Sequence, residues 1–367
     1  MNTAIDKSKP GSQGAHADYL SDLAEQVLAL CKQEGADQAE VSLSEDSGLS
    51  VNVRMGEVET VERTQDRGVA VTVYFKQCKG TASTADIQLS SLKSTVEQAC
   101  AIAKFTEKDT ASGLADKDRM ATIFHDLDLW HPHDISADEA IELALQTENA
   151  GREFDRRISN SDGAGMSRGD SVAVYANSHG FIGAERSTHF SLSCSLIAGA
   201  NESMQRDYWY SSALRYSDLE AAAMVGKHAA ERTVRRLNPR SIDTGNYPVL
   251  FSAETARSLI GHFLGAVSGG ALYRRASFLL DSLDTKIFPE WFSLLEQPHV
   301  RRGLRSANFD AEGVATTDQY LIEHGVLKHY LLGSYSARKL GLKSTGNAGG
   351  VHNLDVTANA GGLEELV

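Results

Sequence analysis

The sequence predicts an α+β fold, with helix-flanked antiparallel meander sheets in the N-terminal half and a strand-rich C-terminal domain around one central helix. Apolar and polar residues alternate between residues 39 and 76, and again between 158 and 200, which is typical of strands with one face in water. Segments of helical period precede and follow the first of these regions. This order of helix, strands and helix indicates helices packed on a sheet.

Length and composition indicate a globular chain with several domains. The chain has 367 residues, 41% of them hydrophobic, which is enough for two or three cores of ordinary size. We predict a disordered leader at 1–17, α+β subdomains at 18–118 and 119–240, and a C-terminal domain at 241–367. No apolar run approaches the ~20 residues that span a bilayer, and the leader lacks the apolar centre of a signal peptide. We therefore expect no membrane contact.

Charge and cysteine usage restrict the expected partners and location. The net charge of -13 opposes phosphate backbones, so nucleic acid is not an expected partner. The densest basic cluster lies near the end of a predicted helix, where it would complement the helix dipole. That cluster consists of Arg232, Arg235, Arg236 and Arg240. The four cysteines are far apart and form no CxxC pair, which favours the reducing cytoplasm.

The N-terminal elements follow in order from hydrophobic period. A helix is predicted at Asp18–Glu34, ended by Gly35. Short strands joined by Gly or Asp-Ser turns should follow at Ala39–Leu43, Leu49–Arg54, Glu57–Thr64 and Gly68–Lys76. The helical period returns at Ser90–Thr106, which completes the first helix-flanked meander.

Residues 125–200 contain two motifs that invite a ligand interpretation. The histidine-rich segment His125–His133 could suggest a metal, but Pro132 breaks regular structure there and no pair of histidines is set one helical turn apart. The segment Asp162–Gly165 lacks the Gly-Lys-Ser/Thr ending of a phosphate loop, so we predict a hairpin turn. Between them, Ser136 and Glu139 form the capping box of a helix.

The central element of the C-terminal domain is the predicted helix Ser252–Gly270, which follows a predicted strand at Tyr247–Phe251. Apolar residues at helical spacing predict one buried face: Ala256, Leu259, Ile260, Phe263, Leu264 and Val267. On the opposite face Gly261 and Gly265 leave room for another backbone or an extended ligand. His262 has no second imidazole one turn away, so the helix offers no metal site.

Two further groups are candidate binding residues. Arg274 and Arg275 could hold a carboxylate, a peptide terminus or an acidic partner surface, or could form a solvated pair. Asp310 and Glu312 would share one face of a strand, suited to a divalent cation or a charge pair. Alternatively, Asp310 stabilises a turn, which is the safer interpretation.

Residues 309–353 resemble the C-terminal signature of the TldD/TldE (PmbA) family, also called modulator of DNA gyrase. The run reads FDAEGVATTDQYLIEHGVLKHYLLGSYSARKLGLKSTGNAGGVHN. The helix-meander-helix start and the Asn177-Ser178-x-Gly180 turn are similar to the family as well, so the resemblance extends from about residue 18 onwards. Family chains continue past the equivalent of Val367, which makes a truncated product an expectation.

The resemblance implies a function that the residues alone would not suggest. In the family, the TldD kind has an HExxxH helix and a later cysteine ligand, whereas this chain resembles the TldE (PmbA) kind. The resemblance implies a cytoplasmic, non-metal-binding subunit of a heteromeric metalloprotease, with zinc on a TldD-type partner. Its substrates would be unfolded or extended peptides, including peptide-antibiotic precursors and antitoxins. For the chain in isolation, a homodimer is a further expected assembly.

We identify no catalytic residue and no metal ligand in this chain. The candidates for lining a substrate chamber are Gly261, His262, Gly265, Arg274, Arg275, Asp310 and Glu312. One alternative is a non-catalytic module that binds peptides or other proteins. An independent hydrolase is less favoured, because no Gly-x-Ser-x-Gly elbow is present.

Overall fold

Six strands form one antiparallel sheet in the order β3-β2-β1-β4-β5-β6. The computed structural model describes residues 12–357 and 362–366. The strands of this sheet are β1 (Gln38–Arg54), β2 (Glu57–Phe75), β3 (Cys78–Thr84), β4 (Ile158–Asn177), β5 (Ile182–Ala198) and β6 (Gln205–Ala213). The predicted α+β fold is confirmed, but the two strand-rich regions form a single sheet, because β1 pairs with β4 as well as with β2.

The helices and the smaller sheet complete the fold. The helices are α1 (Ser12–Gln33), α2 (Leu89–Phe105), α3 (Ala137–Arg152), α4 (Ala222–Arg235), α5 (Ala253–Ala266), α6 (Gly269–Tyr273), α7 (Ser334–Leu340) and α8 (Leu363–Leu366). The smaller sheet has the order β10-β7-β8-β9, with β7 (Leu294–Gln297), β8 (Gln319–Glu323), β9 (Val326–Leu327) and β10 (Asn353–Val356). Within the described residues, no helix is long and apolar enough to cross a bilayer.

Helix α1 starts earlier than the sequence indicates. It begins at Ser12 instead of Asp18, so residues 12–17 of the predicted leader are helical, while residues 1–11 lie outside the described part of the chain. The side chain of His16 contacts Glu45 on β1, and its ring stacks on Tyr19. Such tertiary contacts stabilise a polar helical turn that local composition does not reveal. At the other end, Gly35 has φ +84°, as its predicted capping role requires.

Strands β1 and β2 are longer than predicted. The residues taken as an Asp-Ser turn lie inside β1, where Glu45 pairs with Arg67 and Gly48 pairs with Thr64 on β2. These polar residues stay extended because both neighbouring strands satisfy their backbone groups. Likewise, the predicted hairpin turn at 162–165 is a bulge within β4, where the register shifts and Gly163 has φ +114°. The predicted turn after Asn177 is confirmed.

Two pairs of helices cover the same face of the large sheet. Alternate residues of β1 supply both cores: Val41 and Leu43 pack with α1 and α2, while Val51 and Val53 pack with α3 and α4. Since these residues differ by even numbers, they lie on one face of the strand. The opposite face is therefore free to receive the C-terminal part of the chain.

Helices α3 and α4 are in backbone contact. A Cβ atom on Gly226 would lie 2.0 Å from the carbonyl oxygen of Thr147, and one on Gly151 would lie 2.8 Å from the carbonyl oxygen of Gly226. The predicted capping box of Ser136 is present at the start of α3. Further along α3, the fully buried Glu148 accepts hydrogen bonds at 2.8 Å from the N–H groups of Met55 and Gly56 in the β1–β2 turn.

Helix α5 is less buried than its hydrophobic period predicts. Phe263 is buried within α5 and Val267 just after it, whereas Leu259 is 49% exposed. Ser252 occupies the N-cap position without a side-chain capping hydrogen bond, and Glu254 in the first turn pairs with Arg232 on α4. The helix therefore packs through its C-terminal half.

The predicted strand Tyr247–Phe251 is wrong. These residues have no regular structure, and Tyr247, Val249 and Leu250 are exposed. A strand needs a neighbour for its backbone N–H and C=O groups, and no described strand pairs with this segment. Its apolar run therefore does not produce a strand in the described fold.

The C-terminal part contacts the free face of the large sheet through a small aromatic core. Phe309 packs against Phe181, with ring centroids 5.3 Å apart, and Tyr175 of β4 joins the same cluster. A Cβ atom on Gly313 would lie 2.9 Å from atoms of both Phe181 and Tyr175, and its φ of +77° also favours glycine. This contact places the turn that follows Phe309 beside the sheet.

Candidate functional site

Asp310 organises the turn that joins the two halves of the molecule. Its Oδ1 accepts the backbone N–H groups of Glu312 and Val314 at 2.9 and 3.0 Å. Its Oδ2 accepts the N–H of Ala348 at 2.9 Å, which connects the turn to the loop 346–350. The interpretation of Asp310 as the stabiliser of a turn is confirmed, and the strand alternative is wrong because Gly313 turns the backbone.

Burial raises the pKa of Asp310 from 3.8 to about 6, although three backbone N–H groups partly oppose the shift. The nearby Glu312 raises the pKa further. Asp310 is only 4% exposed, so water cannot relieve the cost of its charge. Ionisation of the Asp310 carboxyl group near neutral pH therefore destabilises this turn.

We expect the ionisation of Asp310 to reduce stability as the pH rises from about 4 to 6. The folded pKa lies above the unfolded value, so in this window unfolding releases a proton and the free energy of unfolding falls by about 1.4 kcal/mol per pH unit. The Asp310→Asn variant lacks this loss. Urea denaturation of both proteins between pH 4 and 7 measures their difference in stability. The contributions of the other titrating groups cancel in that difference. A difference independent of pH would contradict the assigned burial effect.

A glycine-rich loop, residues 346–350, forms one wall of the site. Gly346, Gly349 and Gly350 all have positive φ, at +73°, +95° and +126°. Asn347 donates to both oxygens of Glu296, which is fully buried. Because Asp310 accepts the N–H of Ala348, two buried carboxylates fix the path of this loop.

Glu296 is the centre of a buried hydrogen-bond network. Its carboxylate also accepts the backbone N–H and the Nδ1 of His352, at 2.7 and 2.8 Å, and the Nε2 of Gln319 at 2.8 Å. Burial raises the pKa of Glu296. The hydrogen bonds from His352, Gln319 and Asn347 lower the pKa by more, so that it lies below its usual value. Glu296 is therefore a buried anion that its surroundings stabilise.

Between this loop and the end of α5 lies a cleft of about 550 Å³, here called the C-terminal cleft. Its lining includes Leu264 and residues 268–270 from the end of α5 and the start of α6, and residues 347–351. Arg305 and Glu312 supply its charged groups. The carboxylate of Glu312 also accepts the N–H of Ser334 at 2.8 Å, which fixes it at the start of α7.

The predicted chamber residues divide into two groups. Glu312 lines the C-terminal cleft and Asp310 supports it from behind, while the guanidinium of Arg274 lies 3.4 Å from where a Cβ of Gly270 would stand. The second group is exposed and lies outside the lining: Gly261, His262, Gly265, Arg274 and Arg275. A Cβ at Gly261 or Gly265 would meet nothing within 4 Å, so the face of α5 predicted to be bare is open.

Sequence reasoning missed Arg305, Glu296 and the glycine-rich loop as parts of the site. The one local signal was the run of glycines at 346–350. No motif in the sequence marks Glu296 or Arg305, and only the tertiary pairing of β7 with β8 and β10 brings the partners of Glu296 together.

The described residues do not fit a catalytic zinc ion. The histidines of the 125–133 segment face different partners: His125 lies against His299, His131 bonds the carbonyl of Asp128, and His133 stacks on Tyr216. Among the described residues, no group of three or more His, Cys, Asp and Glu is arranged to hold a metal ion. Catalytic zinc sites usually have three protein ligands.

The chain matches metallopeptidase domains over most of its length. Three domain models of the PmbA/TldA metallopeptidases match in chain order: domain 1 at residues 39–103, the central domain at 130–237 and the C-terminal domain at 244–367. The chain belongs to the PmbA/TldD family.

Relatives and solved structures agree with this assignment. The chain is 47% identical to a Metalloprotease PmbA homolog of Haemophilus influenzae, over 93% of this chain and 76% of the relative. It is 45% identical to Metalloprotease PmbA of Escherichia coli O157:H7, over 90% and 74% of the two chains. A Bacteroides thetaiotaomicron structure described as a candidate modulator of DNA gyrase is similar at a TM-score of 0.89 and 27% identity, covering 95% and 79%.

A more distant structure shares the fold. TldE from Thermococcus kodakarensis is similar at a TM-score of 0.75 and 18% identity, over 93% of this chain and 79% of that one. The fold is thus common to structures described under both family names, TldE and modulator of DNA gyrase.

Proposed function

We propose that this chain is the non-metal-binding subunit of a cytoplasmic heteromeric metalloprotease that degrades or processes unfolded or extended peptides. Peptide-antibiotic precursors and antitoxins are the proposed substrates. The observation that supports this role is the composition of α5, where Glu254 and His262 are the only residues that could bind zinc. They are eight residues apart, and no second ligand stands one turn from His262.

In this proposal a TldD-type subunit holds the zinc and supplies the hydrolytic chemistry. This chain binds and orients the substrate through the C-terminal cleft. The cleft is open and its walls are largely small residues and backbone, including Gly269, Gly349 and Gly350. An extended chain that binds through backbone hydrogen bonds fits such walls with little dependence on its sequence.

A role as an independent hydrolase is less well supported. Ser268 lines the cleft, but its hydroxyl donates to the carbonyl oxygen of Gly265 at 2.8 Å. Among the described residues no imidazole contacts Ser268, so a general base for it is missing.

We expect the purified chain to contain no stoichiometric zinc and to cleave no peptide alone. Mixed with a TldD-type subunit, it should restore cleavage of an unstructured peptide, because zinc and substrate-binding surface are then combined. Metal analysis and a peptide cleavage assay, each with and without the partner, measure this. The matched control is a partner in which the glutamate of HExxxH is replaced, which should remain inactive in the mixture.

Each other outcome selects a different function. Cleavage by this chain alone that survives a chelator would favour the independent hydrolase. Full activity of the partner without this chain would favour a peptide-binding or interaction module that takes no part in catalysis. Stoichiometric zinc on this chain would remove the basis of the proposal.

A further inference from the structure

Two arginines at the C-terminal cleft have no carboxylate partner. Among the described residues, neither Arg274 nor Arg305 forms an ion pair, although the chain has a net charge of -13. The neighbouring arginines differ: Arg301 contacts Asp126 and Asp128, and Arg302 contacts Asp128 and Asp218. Free guanidinium groups in an acidic protein are available to an anionic ligand.

Arg305 is positioned by the wall of the cleft. Its backbone N–H donates to Oδ1 of Asn353 at 3.0 Å, and its Nη2 lies 3.4 Å from the carbonyl oxygen of Val351. The same Nη2 would be 3.6 Å from a Cβ on Gly350, so the guanidinium lies along the glycine-rich loop. Its remaining N–H donors have no partner among the described residues. A planar guanidinium held in this way is suited to bind a carboxylate with two hydrogen bonds.

Arg274 lies beside the cleft, outside its lining. Its guanidinium lies 5.4 Å from the ring centroid of Tyr273, and its Nη1 donates to the hydroxyl of that residue at 3.3 Å. A Cβ on Gly270, which lines the cleft, would lie 3.4 Å from the Nη2 of Arg274. Arg305 is therefore the arginine within the lining, and Arg274 is the one next to it.

Glu312 gives the cleft a second, opposite charge. It lines the same space as Arg305, yet the two form no ion pair, and its carboxylate is held by the N–H of Ser334. A carboxylate ligand would be repelled from the Glu312 end and attracted to the arginines. A backbone N–H of the same ligand could be accepted by Glu312. The cleft thus offers positive charge to a carboxylate and an acceptor to an N–H group, and an extended peptide carries both groups close together.

We propose that the C-terminal cleft binds a carboxylate of an extended peptide, with Arg305 as the principal ligand and Arg274 as the second. The carboxylate is either the peptide's free C-terminus or an acidic side chain, which offer the same chemistry. This inference deepens the proposed function by naming the substrate feature that the subunit selects. Arg305 and Arg274 are specificity-determining residues in this proposal, and neither takes part in bond cleavage.

Binding of unlabelled unstructured peptides to the purified chain, measured by isothermal titration calorimetry, tests the proposal. One peptide of glycine, serine and alanine is made with a C-terminal carboxylate or an amide, and the amide form is also made with an internal glutamate or glutamine. We expect the forms that have a carboxylate to bind about tenfold more tightly, as one charge-assisted contact allows. A preference for the free terminus or for the internal glutamate identifies the source. Equal binding of all four peptides would overturn the proposal.

Arginine variants locate the contact. Arg305→Gln should remove most of the preference for a carboxylate, and Arg274→Gln should remove part of it. The matched control is Arg301→Gln, an exposed arginine that pairs with Asp126 and Asp128 outside the cleft lining and should keep the full preference. Circular dichroism checks that the variants fold. A preference that survives the combined Arg274→Gln and Arg305→Gln changes would contradict the assignment.

The binding assay separates this inference from the proposed function. It requires neither zinc nor a partner subunit, so carboxylate preference can be present even where the mixture with a TldD-type subunit cleaves nothing. Conversely, cleavage that is equally efficient for all four peptides would leave the proteolytic role intact and exclude the carboxylate site.

Discussion

Replacing Glu296 with leucine is expected to lower the free energy of unfolding by about 3 to 5 kcal/mol, the range for removing one partner from a buried charged network. The loss arises because Asn347 and His352 would then each lose the acceptor of a donor, whereas Gln319 would keep Thr345 and Asn347 as acceptors. Leucine has a similar volume, so the change tests hydrogen bonding more than packing. Urea denaturation followed by tryptophan fluorescence measures it.

Two further variants make the Glu296 result interpretable. Glu296→Gln keeps one acceptor oxygen but faces the donors with an NH₂ group, so we expect an intermediate loss. Glu290→Gln is the control, because this exposed residue makes only a 3.6 Å contact with Lys286 and should change stability by less than about 0.5 kcal/mol. If Glu296→Leu were as stable as the wild type, the network would contribute nothing to the fold.

The same substitution should affect the cleft. Asn347 lies within the glycine-rich loop that lines the cleft, and His352 follows that loop. Both donate hydrogen bonds to Glu296. If this loop becomes more mobile, the guanidinium of Arg305 is no longer held by the carbonyl oxygen of Val351. The carboxylate preference of Glu296→Leu should therefore fall even in conditions where the variant remains folded.

Local patterns predicted those elements whose residues are satisfied by near neighbours in the sequence. The capping box at Ser136 and Glu139 forms as expected, and so does the turn stabilised by Asp310. In both cases a side chain bonds backbone groups two to four residues away, so the sequence contains the whole interaction. Gly35 as a helix terminator follows the same logic.

Predictions were wrong where a distant neighbour decides the conformation. Residues 45–48 stay extended because β2 and β4 both pair with them, and residues 162–165 form a bulge in β4 for the same reason. Conversely, Tyr247–Phe251 has a strand pattern but no described strand beside it. Turn-forming residues indicate only a preference, which pairing on both sides overrides.

The candidate site shows the same division. The sequence singled out Asp310 and Glu312 by their spacing, and Glu312 lines the cleft while Asp310 bonds its loop. Arg274, singled out by its charge, lies outside the lining. Glu296 was not found, because a single glutamate in an apolar strand gives no sign of the donors that surround it. Those donors come from residues 319, 347 and 352, which only the sheet order brings together.

Replacing Gly226 with alanine is expected to lower the free energy of unfolding by about 3 kcal/mol or more, at the upper end for an overpacked interior. The new methyl group would lie 2.0 Å from the carbonyl oxygen of Thr147, and backbone cannot rotate away as a side chain can. Helices α3 and α4 would have to separate. That movement would also draw Glu148 from the N–H groups of Met55 and Gly56, so damage to packing would extend to the β1–β2 turn.

Gly261→Ala on α5 is the matched control, since it is the same change in another helix. A Cβ at Gly261 meets nothing within 4 Å, and alanine favours a helix over glycine by about 1 kcal/mol, so this variant should be as stable as the wild type or more stable. Thermal and urea denaturation of both variants give the comparison. Opposite signs for one substitution would show that contact between backbones, and not helix propensity, requires glycine at 226. Equal and small effects would mean that α3 and α4 can separate without cost.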